Sequence, residues 1–393
     1  MASLYDYVLS VKDKSFAEVP LCLLDFTLFN ELTYLQIMEH VPKAIRQKDV
    51  ISIQELKKVF HYDDQGIPIK LLNTPERIRL FNLFLMAKRY QKIQFCHYKN
   101  EVNLEFETQF LAMVFDISEC QTHHIVFGGT DDSLVGWKEN FKLSYMREIP
   151  AHRTSSAYLH QVLPQLRGRI VISGHSKGGN LAAYAVSQIP RDLQDYIDLI
   201  YIFDAPGFRK PLLESEGYQY ISHKMITIKP YESLIGMILE TNKIPIVVAS
   251  DAKGIIQHAM SKWKVDIKNN QFQQVPTLSP LSLQFEKTFA LWTQSLSNYE
   301  LKSLIDLLFD EFIDRGVLSF EELVTKNPLV LRQYLAIYRR LSPYQRQLFL
   351  KAINLFIKAY RSSHLTLKET SSDKKSTISQ LLNTIQTKKT DTP

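Results

Sequence analysis

The sequence is poor in cysteine and has no long apolar run, and each shortage removes a class of protein. Its three cysteines, Cys22, Cys96 and Cys120, are an odd number without C-x-x-C spacing. That argues against a disulfide framework or a zinc site and points to a reducing compartment, with the thiols in packing roles. Nowhere do about eighteen apolar residues run together, so no transmembrane helix is expected. The opening Met-Ala-Ser-Leu-Tyr-Asp-Tyr lacks the basic-then-apolar pattern of a signal peptide, and Asp6 interrupts it early. The expected localisation is cytoplasmic. No basic block with interleaved aromatics is present, which argues against a nucleic-acid partner. No internal repeat is evident.

What is present is ordinary for a globular chain: 45% hydrophobic and 22% charged residues over 393 positions. The formal charge of +6 is modest and reads mainly as solubility, with contact at an anionic membrane surface a secondary expectation. Residues 1–89 carry apolar density at Leu21, Leu23, Leu24, Phe26, Leu28, Phe29 and Leu32 without strand-like alternation. They predict helices that pack on or cap a core and hold no chemistry of their own. A further helix opens at Asn73-Thr74-Pro75-Glu76, where proline suits the first turn. Residues 276–361 are again helical, with capping boxes at Ser297/Glu300, Ser319/Glu322 and Ser342/Gln345. The last of these helices, Tyr344 to Tyr360, reads as a core-facing bundle helix rather than a membrane-lying one. Residues 362–393 are Ser, Thr and Lys rich and read as disordered; five lysines against three acids give only +2.

Between them, residues 90–275 have a different grain. Ile93 to His97, Glu105 to Phe110 and Leu111 to Ile117 predict strands, with a polar turn at Lys99-Asn100-Glu101. His123 to Phe127 follows and ends in Gly128-Gly129-Thr130-Asp131-Asp132. His123 and His124, adjacent on a strand, point to opposite faces and make a poor metal pair. Tyr158 to Leu166 predicts a helix; Asp198 to Phe203, Met225 to Lys229 and Ile244 to Ala249 predict strands. Strands alternating with helices imply an α/β protein: a mostly parallel sheet of α/β-hydrolase type, with helices on both faces.

The chemistry centres on Arg169-Ile-Val-Ile-Ser-Gly-His-Ser-Lys-Gly-Gly-Asn-Leu-Ala-Ala-Tyr184. A buried strand, a glycine-bounded turn and a small-residue helix place Ser176 at the apex of a G-x-S-x-G nucleophile elbow. The turn lifts the hydroxyl clear of the sheet. It also sets the N–H of Lys177 at a helix N-terminus, where it faces developing negative charge. A serine hydroxyl needs a base, and the base needs an acid behind it. In this fold acid and histidine follow the serine in that order. His258, in a loop after the last strand, fits; His223 precedes a strand and His364 lies in the terminal stretch. Two carboxylates compete for the acid, Asp204 slightly ahead of Glu232. The alternative role of Asp204 is to bond the backbone of its own Ala-Pro-Gly turn, and that of Glu232 is to cap a helix near Ser233. The Gly-Gly-Thr loop at 128–130 can present backbone N–H groups to an oxyanion.

Ile125-Val-Phe-Gly-Gly-Thr130-Asp131, Trp137 and Gly174-His-Ser-Lys-Gly-Gly179 resemble the class 3 (fungal-type) lipases. More closely, Phe203 to Phe208, Ser233 to Ile238 and Gly254 to His258 resemble a bacterial family of lipase-like proteins. The resemblance covers about residues 90–265. It implies Ser176 as nucleophile, His258 as base, and Thr130 with Lys177 as oxyanion donors. Gly128 stands where those lipases carry arginine, and Lys177 where they carry an apolar residue. The expected activity is hydrolysis of a lipid-like ester without metal or organic cofactor. A thioesterase, amidase or acyltransferase with the same residues is an alternative, as is a non-catalytic binding protein.

Overall fold

The computed structural model describes residues 2–60, 74–103, 105–131, 133–314 and 340–364. Eight strands form one sheet: β1 Val50–Ser52, β2 Gln94–Asn103, β3 Thr108–Ile117, β4 Thr122–Phe127, β5 Arg169–His175, β6 Ile197–Phe203, β7 Met225–Pro230 and β8 Ile246–Val248. They lie in sequential order. The β1 to β4 pairings are antiparallel, and those from β4 to β8 are parallel. The helices used below are α1 Leu4–Val11, α2 Leu23–Thr33, α3 Thr74–Met86, α4 Leu134–Lys142, α5 Pro150–Val162, α6 Lys177–Gln188, α7 Glu216–Ile221, α8 Pro280–Gln294, α9 Asn298–Ile313 and α10 at 343–364.

Sequential order has a consequence for layering. Parallel neighbours joined by crossovers of one hand place all their connecting helices on the same face. Accordingly α5, α6 and α7 share a core with Ala112, Val114, Ile125, Phe127, Ile170 and Ile172. The alternate side chains, Met113, Phe115, Val126 and Val171, face the other way and need a different cover. The N-terminal helices supply it. Phe29 of α2 stacks on Phe115 at 4.7 Å and meets Phe84 and Tyr90 edge-on. Helix α2 lies between sheet and outer helices, so even Asp25, Asn30 and Glu31 are buried. Asp25 is satisfied by Arg89 (2.8 and 3.0 Å), Tyr90 (2.8 Å), Tyr7 (3.1 Å) and the N–H of Cys22 (3.1 Å). A buried carboxylate is tolerated only with such a full set of partners.

Four expectations need correcting. Strand β2 runs through Lys99-Asn100-Glu101, and β3 is one strand rather than two. The hairpin turns later, where Asn103 Oδ1 accepts the N–H of Phe106 and Glu107 takes a positive φ of 49°. His97, at φ 50°, marks a register shift between Cys96 and Lys99, which is why the polar stretch stays in the strand. Helix α5 begins at Pro150, well before Tyr158, because proline occupies its first turn. The short strand β1 lies inside the region expected to be helical.

At the C-terminal side, α9 packs Ile305, Phe309 and Phe312 against Leu134 of α4. Helix α10 buries Leu348 and Ala352 against Leu296, Leu301 and Leu304. Its other side leaves Leu350, Ile353, Ile357 and Tyr360 exposed. The capping pairs Ser297/Glu300 and Ser342/Gln345 form. The Ser319/Glu322 box and the terminal stretch from 365 lie outside the described residues, while 362–364 belong to α10. Among the described residues no helix is long and apolar enough to cross a membrane.

Candidate active site

The carboxyl ends of β4 to β8 converge on one edge of the sheet, the usual place for a site in such an architecture. At the end of β5, Ser176 adopts φ 58° and ψ −130°, a conformation that L residues rarely hold. The flanking glycines make it possible. A Cβ on Gly174 would sit 2.1 Å from the Gly178 carbonyl carbon, and one on Gly178 would sit 2.1 Å from the Phe127 oxygen and 2.9 Å from Gly128. The elbow is therefore pressed directly against the Gly-Gly-Thr loop. The N–H of Ser176 donates to the Phe203 carbonyl (2.9 Å), pinning the turn to β6.

Asp204, at the end of β6, is fully buried at φ 40°, its N–H held by the Ile228 carbonyl at 2.8 Å. Its Oδ2 lies 2.7 Å from His258 Nδ1, and its Oδ1 accepts the Ser233 hydroxyl at 2.5 Å. Nδ1 facing a carboxylate carries the proton in the neutral ring and leaves Nε2 as the basic nitrogen. Glu232 goes elsewhere. Its Oε2 accepts the Gly254 N–H (2.5 Å) and the Gln257 amide (3.0 Å), and its own N–H donates to Gln257 Oε1 (2.9 Å). It holds the turn at 254–258 that carries His258, instead of capping a helix after Ser233. The Ala-Pro-Gly turn after Asp204 is anchored independently, since Asn180 donates to the carbonyls of Pro206 (3.2 Å) and Gly207 (3.0 Å). His152 in turn donates from Nε2 to Asn180 Oδ1 (2.7 Å) while its Nδ1 accepts the Ile149 N–H (3.2 Å). Burial lowers the His152 pKa to about 4 and keeps the ring neutral.

His175, next to the serine, points into the N-terminal layer. Its Nδ1 accepts the Tyr34 hydroxyl (2.6 Å), and Nε2 donates to the His258 carbonyl (2.8 Å). Both nitrogens are engaged, and burial first, then the neighbouring His258, lowers its pKa well below the ordinary range. The two imidazoles lie 4.4 Å apart, which brings His258 beside the residue preceding Ser176. Among the described residues no hydrogen bond joins Ser176 to His258; such bonds commonly tighten only when substrate is bound. Thr130 is buried, and its hydroxyl accepts from the Asn140 amide at 3.0 Å.

The Lys177 side chain departs most from expectation. It is fully buried, ion-paired to Glu139 at 2.7 Å and donating to Gln109 O (2.5 Å) and Oε1 (2.8 Å). Glu139, on α4, also accepts the N–H groups of Gln109 (3.0 Å) and Ala151 (2.9 Å). The pair thus binds the elbow helix to the helix that follows the Gly-Gly-Thr loop. Lys229, at the end of β7, is likewise buried, donating to the Gly236 carbonyl at 2.5 Å. Its pKa is lowered by burial, with Asp204 and Glu286 opposing. The Lys177 role has no short-range sequence signature, since its partners Gln109 and Glu139 lie 68 and 38 residues away. Among the described residues no three His, Cys, Asp or Glu side chains come together to hold a metal ion. His124 bonds Ser173 in the core (2.7 Å), and His123 lies on the other side near Asp116 (3.7 Å).

The sheet, its layers and the elbow define an α/β-hydrolase fold. Residues 84–310 match the family model described as Mbeg1-like, and the chain belongs to that family. No curated protein matches. Among solved structures, the chain is similar to the Rhizomucor miehei lipase propeptide complex, at 14% identity, TM-score 0.37, and coverage of 65% of this chain and 73% of that one. It is also similar to a fungal lipase–inhibitor complex solved as a model for interfacial activation, at 13% identity, TM-score 0.38, and coverage of 65% and 89%. A Penicillium expansum triacylglycerol lipase is similar at 10% identity, TM-score 0.28, and coverage of 47% and 81%.

Proposed function

We propose that this protein is a serine hydrolase that cleaves carboxylic esters of lipid-like substrates, with Ser176 as nucleophile, His258 as base and Asp204 as the orienting acid. The observation that carries the proposal is the 2.7 Å contact of His258 Nδ1 with Asp204 Oδ2, beside a strained elbow serine. In the forward step Ser176 Oγ attacks the ester carbonyl and its proton passes to His258 Nε2. The tetrahedral oxyanion is held by the N–H groups of Thr130 and Lys177, and collapse expels the alcohol with the proton from His258. Water, deprotonated by the same nitrogen, then releases the acid. Asp204 keeps the ring in the useful tautomer and stabilises its charged form. The apolar lining of a narrow throat nearby, made by Trp137, Pro206, Ile235, Ile238 and Phe289, supports a lipid-like reading of the substrate. Asn140, which bonds Thr130, shares that lining.

Replacing Ser176 with alanine should lower turnover of short p-nitrophenyl esters by about a millionfold, the scale for loss of a triad nucleophile. Equal hydrolysis by mutant and parent removes the assignment.

A further inference from the structure

A wider cleft adjoins the throat. The two share Ser144 and Phe289 in their linings, and the cleft has a volume of about 440 Å³. Its lining combines apolar Phe208, Met237, Leu239 and Leu301 with Arg147 and Arg209. Arg209 follows the turn that leads from Asp204 and donates from one terminal nitrogen to the Ser144 carbonyl. Its Nε is buried and has no hydrogen-bond partner among the described residues. Arg147, exposed, makes no ion pair among them. Burial first, and then the Arg147 charge, lower the Arg209 pKa. Two carboxylates also line the cleft. The Glu286 charge acts on buried Lys229, and Glu240 is exposed. Neither contributes to the Arg209 shift.

A partly buried guanidinium with a vacant donor, repelled by a second cation, is stabilised by an anion between them. The planar fork of arginine suits phosphate oxygens, which can accept two N–H bonds at once. We propose that the Arg147–Arg209 cleft is the head-group subsite of the ester substrate and that it takes a phosphate, making the substrate a phosphate-bearing glycerolipid ester. This rests on the esterase reading above. The ester carbonyl would sit at Ser176, its hydrocarbon against the apolar walls and its phosphate between the two guanidiniums.

Two measurements on the full chain test it. The first is calorimetric binding of decyl phosphate, which has no carboxylic ester to cleave, to the parent, Arg209→Gln and Arg147→Gln. Each substitution should weaken binding at least tenfold; the Arg147 side chain is exposed, so its removal spares the fold. Equal binding in all three overturns the subsite. Inorganic phosphate should bind much more weakly than decyl phosphate; equal affinity would make this a free-phosphate site and overturn the head-group assignment. The second is the kcat/KM ratio for a monoacylglycerol phosphate against the neutral monoacylglycerol of the same chain. That ratio should fall at least tenfold in both variants. An unaltered ratio with active enzyme overturns the subsite and leaves the esterase reading standing. Arginine-dependent binding of decyl phosphate without turnover of any ester overturns the esterase reading and leaves the subsite standing.

Discussion

At the scale of single residues, the sequence offers two acids for one histidine. Asp204 and Glu232 both follow a strand end, and position along the chain cannot separate them. What separates them is Gln257, whose amide engages Glu232, and the Asn180 clamp that fixes the turn after Asp204. The partners come from segments 25 to 54 residues away, so no local pattern carries the distinction. The two carboxylates should respond differently to neutralisation. Asp204→Asn should lower kcat by about 10⁴, the scale for a triad acid turned into an amide that favours the wrong tautomer. Glu232→Gln loses only charge-assisted bonds to the 254–258 turn, so its main effect should be on stability, on the order of 1–3 kcal/mol. Steady-state kinetics and urea unfolding of the two variants check this, and a larger kinetic loss for Glu232→Gln would reverse the assignment.

At the scale of elements, the elbow was legible because strand, turn and helix are contiguous and the glycines have a steric reason to be there. The N-terminal layer was legible only as helix. Helix α2 is buried on nearly every side, so its sequence lacks a polar stripe, and nothing local shows that it lies on the sheet. In strand β2, lysine, asparagine and glutamate have the composition of a turn, yet they continue the strand past the shift at His97. Lys177 shows the same limit. Its side chain joins α6 to α4 through Glu139, with both groups wholly buried. Removing one partner of a buried pair strands the other, at a cost of about 3–5 kcal/mol. Lys177→Met alone should therefore lower stability by about that amount. Lys177→Met combined with Glu139→Gln should recover part of it, since the buried unpaired charge is gone and the amide oxygen can still accept one of the two N–H groups, of Gln109 or Ala151. Urea denaturation of the single and double variants reads the difference; additive losses would mean that the pair is not coupled.

At the scale of the whole molecule, three histidines are buried neutral between the layers. Burial lowers His124 to about 3 and His152 to about 4, and it is the largest influence holding His175 well below the usual value. In the unfolded chain such groups titrate near pH 6.5. From that pH downward the unfolded state binds protons that the folded state refuses, so stability falls as pH falls through this window. His124 and His152 should each cost on the order of 2 kcal/mol between pH 7 and pH 5. The urea midpoint should drop across that range, and His152→Gln should flatten the slope. A midpoint that is level from pH 7 to pH 5 would contradict the neutral burial of these rings.

Covalent labelling of the intact protein by a fluorophosphonate tests whether Ser176 is an activated nucleophile. One adduct is expected, located by mass on Ser176, absent from Ser176→Ala and strongly slowed in His258→Ala. A properly folded protein that takes no label, or takes it equally without Ser176, would contradict it.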